Sequence, residues 1–262
     1  MANRRKKKRA KYIYARPVFI LTVLIFIVIF GISIGLLELY QYIDKIPYFQ
    51  IKQIKINGCD EKTRIYILQN LKLTNIFSNI FFFNTVNLEK KLEINPWIKS
   101  VKIKKKFPNA LIINIKKEKP YALIVIDNDI FYVDNNAYIF KKVIAGEYMD
   151  LPVITGITPK TENFKDWLKK SIEIINIIKN IHLYPLSEIH ITKYGNVHLF
   201  LCDQDVEVVL SHDIEYITKK NILKKLERLK KVLNYFSNYG AMRNIFIDLD
   251  CINKGAIISL SK

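Results

Sequence analysis

The chain has 262 residues, half of them hydrophobic, which is enough for one large domain or two or three small ones. It carries 42 Lys/Arg against 24 Asp/Glu, a formal charge of +18, but eight basic and no acidic residues fall within residues 1–37. Much of the surplus therefore sits in one short tail and does not describe a nucleic-acid-binding face. The cysteines, Cys59, Cys202 and Cys251, are far apart and form no CxxC pattern, so neither a disulfide framework nor a zinc ribbon is indicated. A single Cys202–Cys251 bridge stays open beside the reading of these residues as small buried hydrophobes.

Residues 17–37 read PVFILTVLIFIVIFGISIGLL without a charge. About 20 apolar residues cross the hydrocarbon core at the rise of a helix, and a core helix of a soluble protein would keep a polar face that is missing here. A cleaved signal peptide would have a shorter apolar run and a small-residue cleavage site. This run exits through Glu38-Leu39-Tyr40-Gln41-Tyr42 instead, and the expectation is an uncleaved single-span anchor. Arg4, Arg5, Lys6, Lys7, Lys8 and Arg9, followed by Lys11 and Arg16, form a topology signal that keeps the N-terminus in the cytoplasm. Residues 1–16 thus read as a basic cytoplasmic tail that also touches anionic lipid, residues 17–37 as the span and residues 38–48 as a linker outside. Gly31 and Gly35 have the spacing that lets two membrane helices approach closely.

Residues 51–58 alternate and stop at Asn57-Gly58, a strand ending in a turn. Residues 61–71 place Ile65, Leu68 and Leu71 at helical spacing. After a Phe/Asn-rich connector over 75–84, Leu88 and Leu92 mark a second short helix from about Asn87, closed by Pro96. Residues 98–104 alternate again, Phe107-Pro108-Asn109 is a turn, and 111–115 is another strand. The order β-α-α-β-β lets two helices bury one core against a three-stranded sheet, which is α+β logic. Lys102, Lys104, Lys105 and Lys106 read as a solvated strand face guarding an edge, with contact to lipid headgroups as the sharper alternative. Trp97 reads as a core or partly buried aromatic.

Taken together, Phe49-x-Ile51-Lys52-x-Ile54, Asn57-Gly58, Asn75-Ile76-Phe77, Pro96-Trp97-Ile98-Lys99-Ser100-Val101 and Phe107-Pro108-Asn109-x-Leu111 resemble an FtsQ-type POTRA domain. Glu118-Lys119-Pro120-Tyr121-Ala122 resembles the Glu-x-Pro-x-Ala that follows that domain in the FtsQ/DivIB cell-division family. On this resemblance the POTRA domain occupies 49–118 and an FtsQ-type, mainly antiparallel β domain with packed helices occupies 119–262.

Within the latter, residues 122–126 form a short apolar strand, and 130–133 and 138–140 flank Asp134-Asn135-Asn136-Ala137 as a hairpin. Ala137 stands where the family usually has Gly, so Asn136 is expected to take the positive φ. Leu151-Pro152-Val153-Ile154-Thr155-Gly156 matches a further family segment. Residues 164–181 read as a helix with Leu168, Ile172, Ile175 and Ile178 on one face. Residues 189–192, 196–202 and 206–210 read as strands, with Gly195 in the first turn between them. Residues 218–236 carry a stripe of Leu223, Leu226, Leu229, Leu233 and Phe236, with Lys219, Lys220, Lys224, Lys225, Lys230 and Lys231 on the solvent side and Gly240 as the stop. Residues 245–250 and 256–260 close the chain as two strands; Asp250 stands where the family usually has Arg, and Cys251 where an aromatic is common.

Nothing in the sequence points to catalysis or to a cofactor. His182, His190, His198 and His212 form no metal-binding spacing. Ser211-His212-Asp213 has the residue types of a triad, but neighbours in sequence point apart and a triad must converge in space. Asp248 and Asp250 share one face of a strand and read as solvated rather than as metal ligands. The resemblance implies a non-enzymatic division scaffold in the cytoplasmic (inner) membrane, concentrated at the septum with its C-terminal domain outside. It also implies small single-pass partners of the FtsB/DivIC and FtsL types. The expected contact is strand pairing along the closing strands, through Ile247, Asp248, Leu249, Ile257, Ile258 and Ser259. An export or outer-membrane assembly factor bearing a POTRA domain is the alternative.

Overall fold

The computed structural model describes residues 3–72, 78–147, 150–183, 185–202, 206–238, 245–250 and 255–260. The Cys202–Cys251 bridge left open by the sequence involves Cys251, which, like the stop at Gly240, lies outside the described residues. The chain divides into two compact units, Met1–Ile94 with Ser100–Lys116, and Asn95–Lys99 with Lys117–Lys262.

In the first unit, α1 runs Asn3–Lys45, and its part Phe19–Lys45 is long and apolar enough to cross a membrane, its most apolar stretch being fully exposed. Residues 38–45 continue the same helix. It stops where Pro47 forces Ile46 out of the helical region, to φ −71° and ψ 115°. Then follow β1 (Gln53–Asn57), α2 (Glu61–Lys72), α3 (Thr85–Glu93), β2 (Ile98–Lys106) and β3 (Ala110–Lys117). The sheet order is β1-β3-β2, with β1 parallel to β3.

Helix α2 buries Thr63, Ile67 and Leu71, and α3 buries Leu88 and Leu92 over Val101, Ile103, Leu111 and Ile113. Ile65 and Leu68, expected on the buried stripe, are exposed. In an isoleucine-rich helix the i, i+3 and i, i+4 sets both look apolar, and packing chose the second. Helix α3 starts two residues before the expected Asn87 because the Asn84 side chain accepts a hydrogen bond from Asn87 N, an N-cap.

The second unit contains β4 (Ala122–Ile126), β5 (Asp129–Val133), β6 (Ile139–Lys142), β7 (Val153–Thr155), α4 (Phe164–Asn180), β8 (Leu186–Ile191), β9 (Val197–Leu201), β10 (Val206–Ser211), α5 (Lys219–Asn238), β11 (Ile245–Asp248) and β12 (Ile257–Leu260). They form a sheet of order β12-β11-β10-β9-β8-β7-β4-β5-β6. Five of its pairings are antiparallel; β4/β7, β7/β8 and β10/β11 are parallel. Two parallel pairs have a helix between their strands, α4 for β7/β8 and α5 for β10/β11, as a crossover demands.

Both helices pack on one sheet face. Helix α5 buries Ile222, Leu226, Leu229 and Leu233, and the sheet offers Ile189, Leu199, Val208 and Ile247. Each such side chain stabilises the fold by about 2 kcal/mol. Helix α4 buries a broader face than its expected stripe, adding Trp167, Ile174 and Ile177.

Two backbone positions fix the β4–β8 region. Gly156 has φ +84°, and a Cβ there would sit 2.0 Å from the Ile191 carbonyl oxygen, so only glycine fits. In the β5–β6 hairpin it is Ala137 itself, at φ +61°, that takes the left-handed position expected of Asn136. Asp134 dictates this. Its Oδ1 accepts from the backbone N–H groups of both Asn136 and Tyr138, at 2.8 Å each, and the Ala137 N–H reaches the Asp134 carbonyl.

Three segments that carried the family resemblance meet at a single lysine. Lys99 Nζ lies 3.0 Å from Glu118 Oε2 and 2.7 Å from Asp134 Oδ2, and both carboxylates are buried. Their hydrogen bonds hold the Lys99 pKa above its usual value. Burial pushes the Asp134 carboxyl up, but Lys99 and the N–H groups of Tyr138 and Asn136 outweigh it and the net shift is down. Beside this cluster Trp97 is half-buried against Tyr132 and Phe140, at centroid distances of 5.3 and 5.8 Å.

Candidate interaction edge of the C-terminal sheet

Strand β11 buries alternate residues, and the register places Ile247 opposite Val208 of β10 and Ile258 of β12. It is an inner strand with a partner on each side. Ile247 is 0% and Leu249 1% exposed, both in the helix-packed core, and the Leu249 N–H extends the parallel ladder to the Val209 carbonyl. Asp248 lies on the other face, half-buried, and accepts from Asp250 N at 2.8 Å.

Strand β12 ends the sheet. Ile257 is 60% and Ile258 39% exposed, and Ser259 is exposed as well. The six residues expected to bind a partner thus lie on adjacent strands but in three environments: Ile247 and Leu249 in the core, Asp248 in a polar corner, and Ile257, Ile258 and Ser259 along the edge. Only the last three line a side of the sheet with no neighbouring strand among the described residues.

The polar corner explains how this edge is held. Lys225 of α5 reaches back to the Leu210 carbonyl (2.8 Å) and to Asp250 Oδ1 (2.5 Å). The other Asp250 oxygen accepts from His212 N at 2.7 Å and lies 3.1 Å from His212 Nδ1. Burial pushes the Asp250 carboxyl up, but Lys225 and the His212 N–H more than reverse this, leaving its pKa below the usual range. Lys225 therefore leaves the solvated lysine face to which its spacing assigned it. On the same helix Arg228 Nη1 donates to the Gly255 carbonyl at 2.7 Å, fixing the entry to β12. Neither partner could be paired from the sequence, because 25 or more positions separate them.

Ser211, His212 and Asp213 do not converge. The Ser211 hydroxyl donates to the Asp213 backbone carbonyl, while the His212 ring faces Asp250. The sheet does bring together His190 and His198, which pair across β8 and β9. Each has a carboxylate nearby: Glu207 2.7 Å from His198 Nδ1, and Glu188 3.9 Å from His190 Nδ1. His190–His198 and His198–Glu207 are cross-strand pairs, whereas Glu188 and His190 lie two apart along β8; all point away from the helix-packed core. Among the described residues no group of three His, Cys, Asp or Glu is placed to hold a metal ion.

An apolar N-terminal helix long enough to cross a membrane, a β-α-α-β-β module of POTRA type and a mainly β region with two packed helices define an α+β class of protein. Comparison with known families agrees. Residues 49–117 match the family described as POTRA domain, FtsQ-type, and residues 122–250 match Cell division protein FtsQ/DivIB, C-terminal. Similar curated proteins include a cell division protein FtsQ of Syntrophotalea carbinolica, 26% identical over 78% of this chain and 75% of the relative. An FtsQ of Geobacter sp. (strain M21) is 25% identical over 86% and 81%, and a cell division protein DivIB of Clostridium tetani is 24% identical over 68% and 69%. The chain belongs to the FtsQ/DivIB family of cell-division proteins.

Proposed function

We propose that this protein is a non-enzymatic scaffold of the division machinery, and that β12 receives a strand from small single-pass division proteins of the FtsB/DivIC and FtsL types. Its anchor holds the N-terminus in the cytoplasm and the two folded units outside, and the protein concentrates at the septum. The observation that carries the binding mode is the sheet order: β12 is outermost, with exposed Ile257, Ile258 and Ser259. Unpaired backbone groups on such an edge give affinity, and alternate side chains give specificity.

The test is a pair of adjacent prolines. In an antiparallel ladder, successive N–H groups point to opposite sides of the strand. One of Ile257→Pro and Ile258→Pro therefore removes a bond to β11, while the other removes a bond available to a partner. In full-length protein captured from crosslinked cells, the outward proline is expected to lower partner affinity by about 3 kcal/mol, roughly two orders of magnitude, with the fold retained. Undiminished capture by both folded variants rules out pairing along β12.

A further inference from the structure

We infer that the POTRA module lies against the surface of its own membrane, seating a string of aromatic side chains and flanking lysines among anionic phospholipid headgroups. The inference rests on the reading that α1 crosses the bilayer and goes beyond it, because a span alone does not say where the module after it sits.

The chain turns sharply over Asn79–Phe83, where the Phe82 and Phe83 N–H groups return to the Asn79 carbonyl. Ile80 and Phe83 go into the core, which leaves Phe81 and Phe82 outside. The exposed rings do not stand alone. Tyr48 meets Phe49 at 5.2 Å, Phe49 meets Phe81 at 5.0 Å, and Phe81 meets Phe107 at 5.0 Å. Phe82 meets Tyr40, on the anchor helix, at 4.2 Å. Tyr40, Tyr48, Phe81, Phe82 and Phe107 are all exposed. A soluble module seldom leaves so many large rings in water.

The anchor says what covers them. Asn79, buried, donates from Nδ2 to the Ile43 carbonyl at 2.6 Å and accepts at Oδ1 from Phe81 N. The loop is thereby fastened to the last turns of α1. Tyr40 and Ile43 lie three and six residues beyond Leu37, about 5 and 9 Å further along a helix. The headgroup layer is about 5–8 Å thick on each side of the hydrocarbon. Residues touching Tyr40 are therefore held at headgroup depth, the level where amphipathic rings are enriched, and those touching Ile43 at its outer margin.

Charge selects the lipid. Residues 46–57, 78–84 and 100–116 hold seven lysines and no acidic residue. Lys105 and Lys106 directly precede Phe107, and Lys105 Nζ donates to the Phe81 carbonyl. Glu89 and Glu93 are taken up by the β2 backbone, at the N–H groups of Ile103 and Val101, and Asp44, two residues before this stretch, is offset by its neighbour Lys45.

The test uses the full-length protein in nanodiscs, with a tryptophan at Phe107 or Phe26 and lipids carrying a quencher at shallow or deep positions. With phosphatidylglycerol present, Phe107→Trp is expected to lose emission to the shallow quencher, over the Trp97 and Trp167 background. Phe26→Trp should lose emission to the deep quencher. In the Phe107→Trp background, Lys106→Gln should lower the ratio of docked to undocked protein about fivefold, the share of one lysine near an anionic surface. Quenching of Phe26→Trp without quenching of Phe107→Trp overturns the docking and leaves the span intact. Failure of Phe26→Trp to be quenched overturns the span and the docking with it. Equal quenching of Phe107→Trp in purely neutral lipid overturns the choice of anionic headgroups.

Discussion

The edge of the small N-terminal sheet and the last edge of the large C-terminal sheet are built on opposite plans. Strand β2 borders the first sheet, and two of its N–H groups are taken up by carboxylates: Glu93 accepts from Val101 N at 2.9 Å and Glu89 from Ile103 N at 2.6 Å. Lys102, Lys104 and Lys106 stand exposed on the same strand, a standard defence against stray pairing. The β6 border of the large sheet is also charged, with Lys142 on Asp129 at 2.7 Å and Lys141 on Glu147 at 2.5 Å. Strand β12, Ile-Ile-Ser-Leu, has no charge at all. Of these three borders in two sheets, β2 and β6 carry charge and β12 does not, which fits the pairing proposed for it.

The difference can be broken at either end. The largest stability loss is expected where the β4–β6 end is fastened. Lys99→Met strands the buried Glu118 and Asp134 carboxylates, and unfolding in detergent should show a loss of about 3 kcal/mol, the lower end for a broken ion pair because the lysine is partly exposed. The same cluster sets a pH dependence. Because the Asp134 pKa is lowered on folding, its contribution is complete at neutral pH and is lost as pH falls below about 4. The fall in Tm on acidification should be shallower in Asp134→Asn.

Opening the defended border comes next. Glu89→Ala with Glu93→Ala leaves two strand N–H groups without their carboxylates and should cost about 2 kcal/mol in all, with self-association visible by sedimentation. If the double variant remains as stable and as monomeric as the parent, the carboxylates are not what seals β2. The reverse experiment gives β12 the defence it lacks. Ile257→Lys at a mostly exposed site should change stability by less than about 0.5 kcal/mol yet weaken partner capture by about tenfold, the effect of one misplaced charge of about 1.4 kcal/mol. The smallest effect is expected at the β5–β6 turn. Ala137→Gly relieves a left-handed alanine and should raise the denaturant midpoint by an amount worth about 0.5–1 kcal/mol at unchanged slope.

What could be read in advance follows from the range of the interaction. Helix α5 was legible because Leu226, Leu229 and Leu233 repeat within one turn or two, and β4 because its apolar run is bounded by turns. The buried Ile67 face of α2 was not, since Ile65 and Leu68 fit a helical period equally well and only the sheet beneath decides between them. The links from Lys99 to Glu118 and Asp134 and from Lys225 to Asp250 join residues 19 to 35 positions apart, beyond any local period. The apolar spacing of residues 164–181 and 218–236 marks α4 and α5 as helices, but the parallel pairing they permit depends on which strands end up adjacent. At the candidate edge, the closing strands were identified together. That β11 is walled in while β12 is open is a property of the sheet order, which sequence alternation does not contain.

The hydrogen bond from Asn79 to the Ile43 carbonyl has a mechanical consequence. A flexible tether would let the module wander and would damp any movement of the span. Here α1 runs as one helix to Lys45 and is joined by this bond to the loop of the POTRA module, so movement of the helix end is coupled to that loop. A few degrees of tilt or rotation imposed on the membrane helix, by a neighbouring helix or by a change in bilayer thickness, would be delivered to the module as displacement rather than absorbed as entropy.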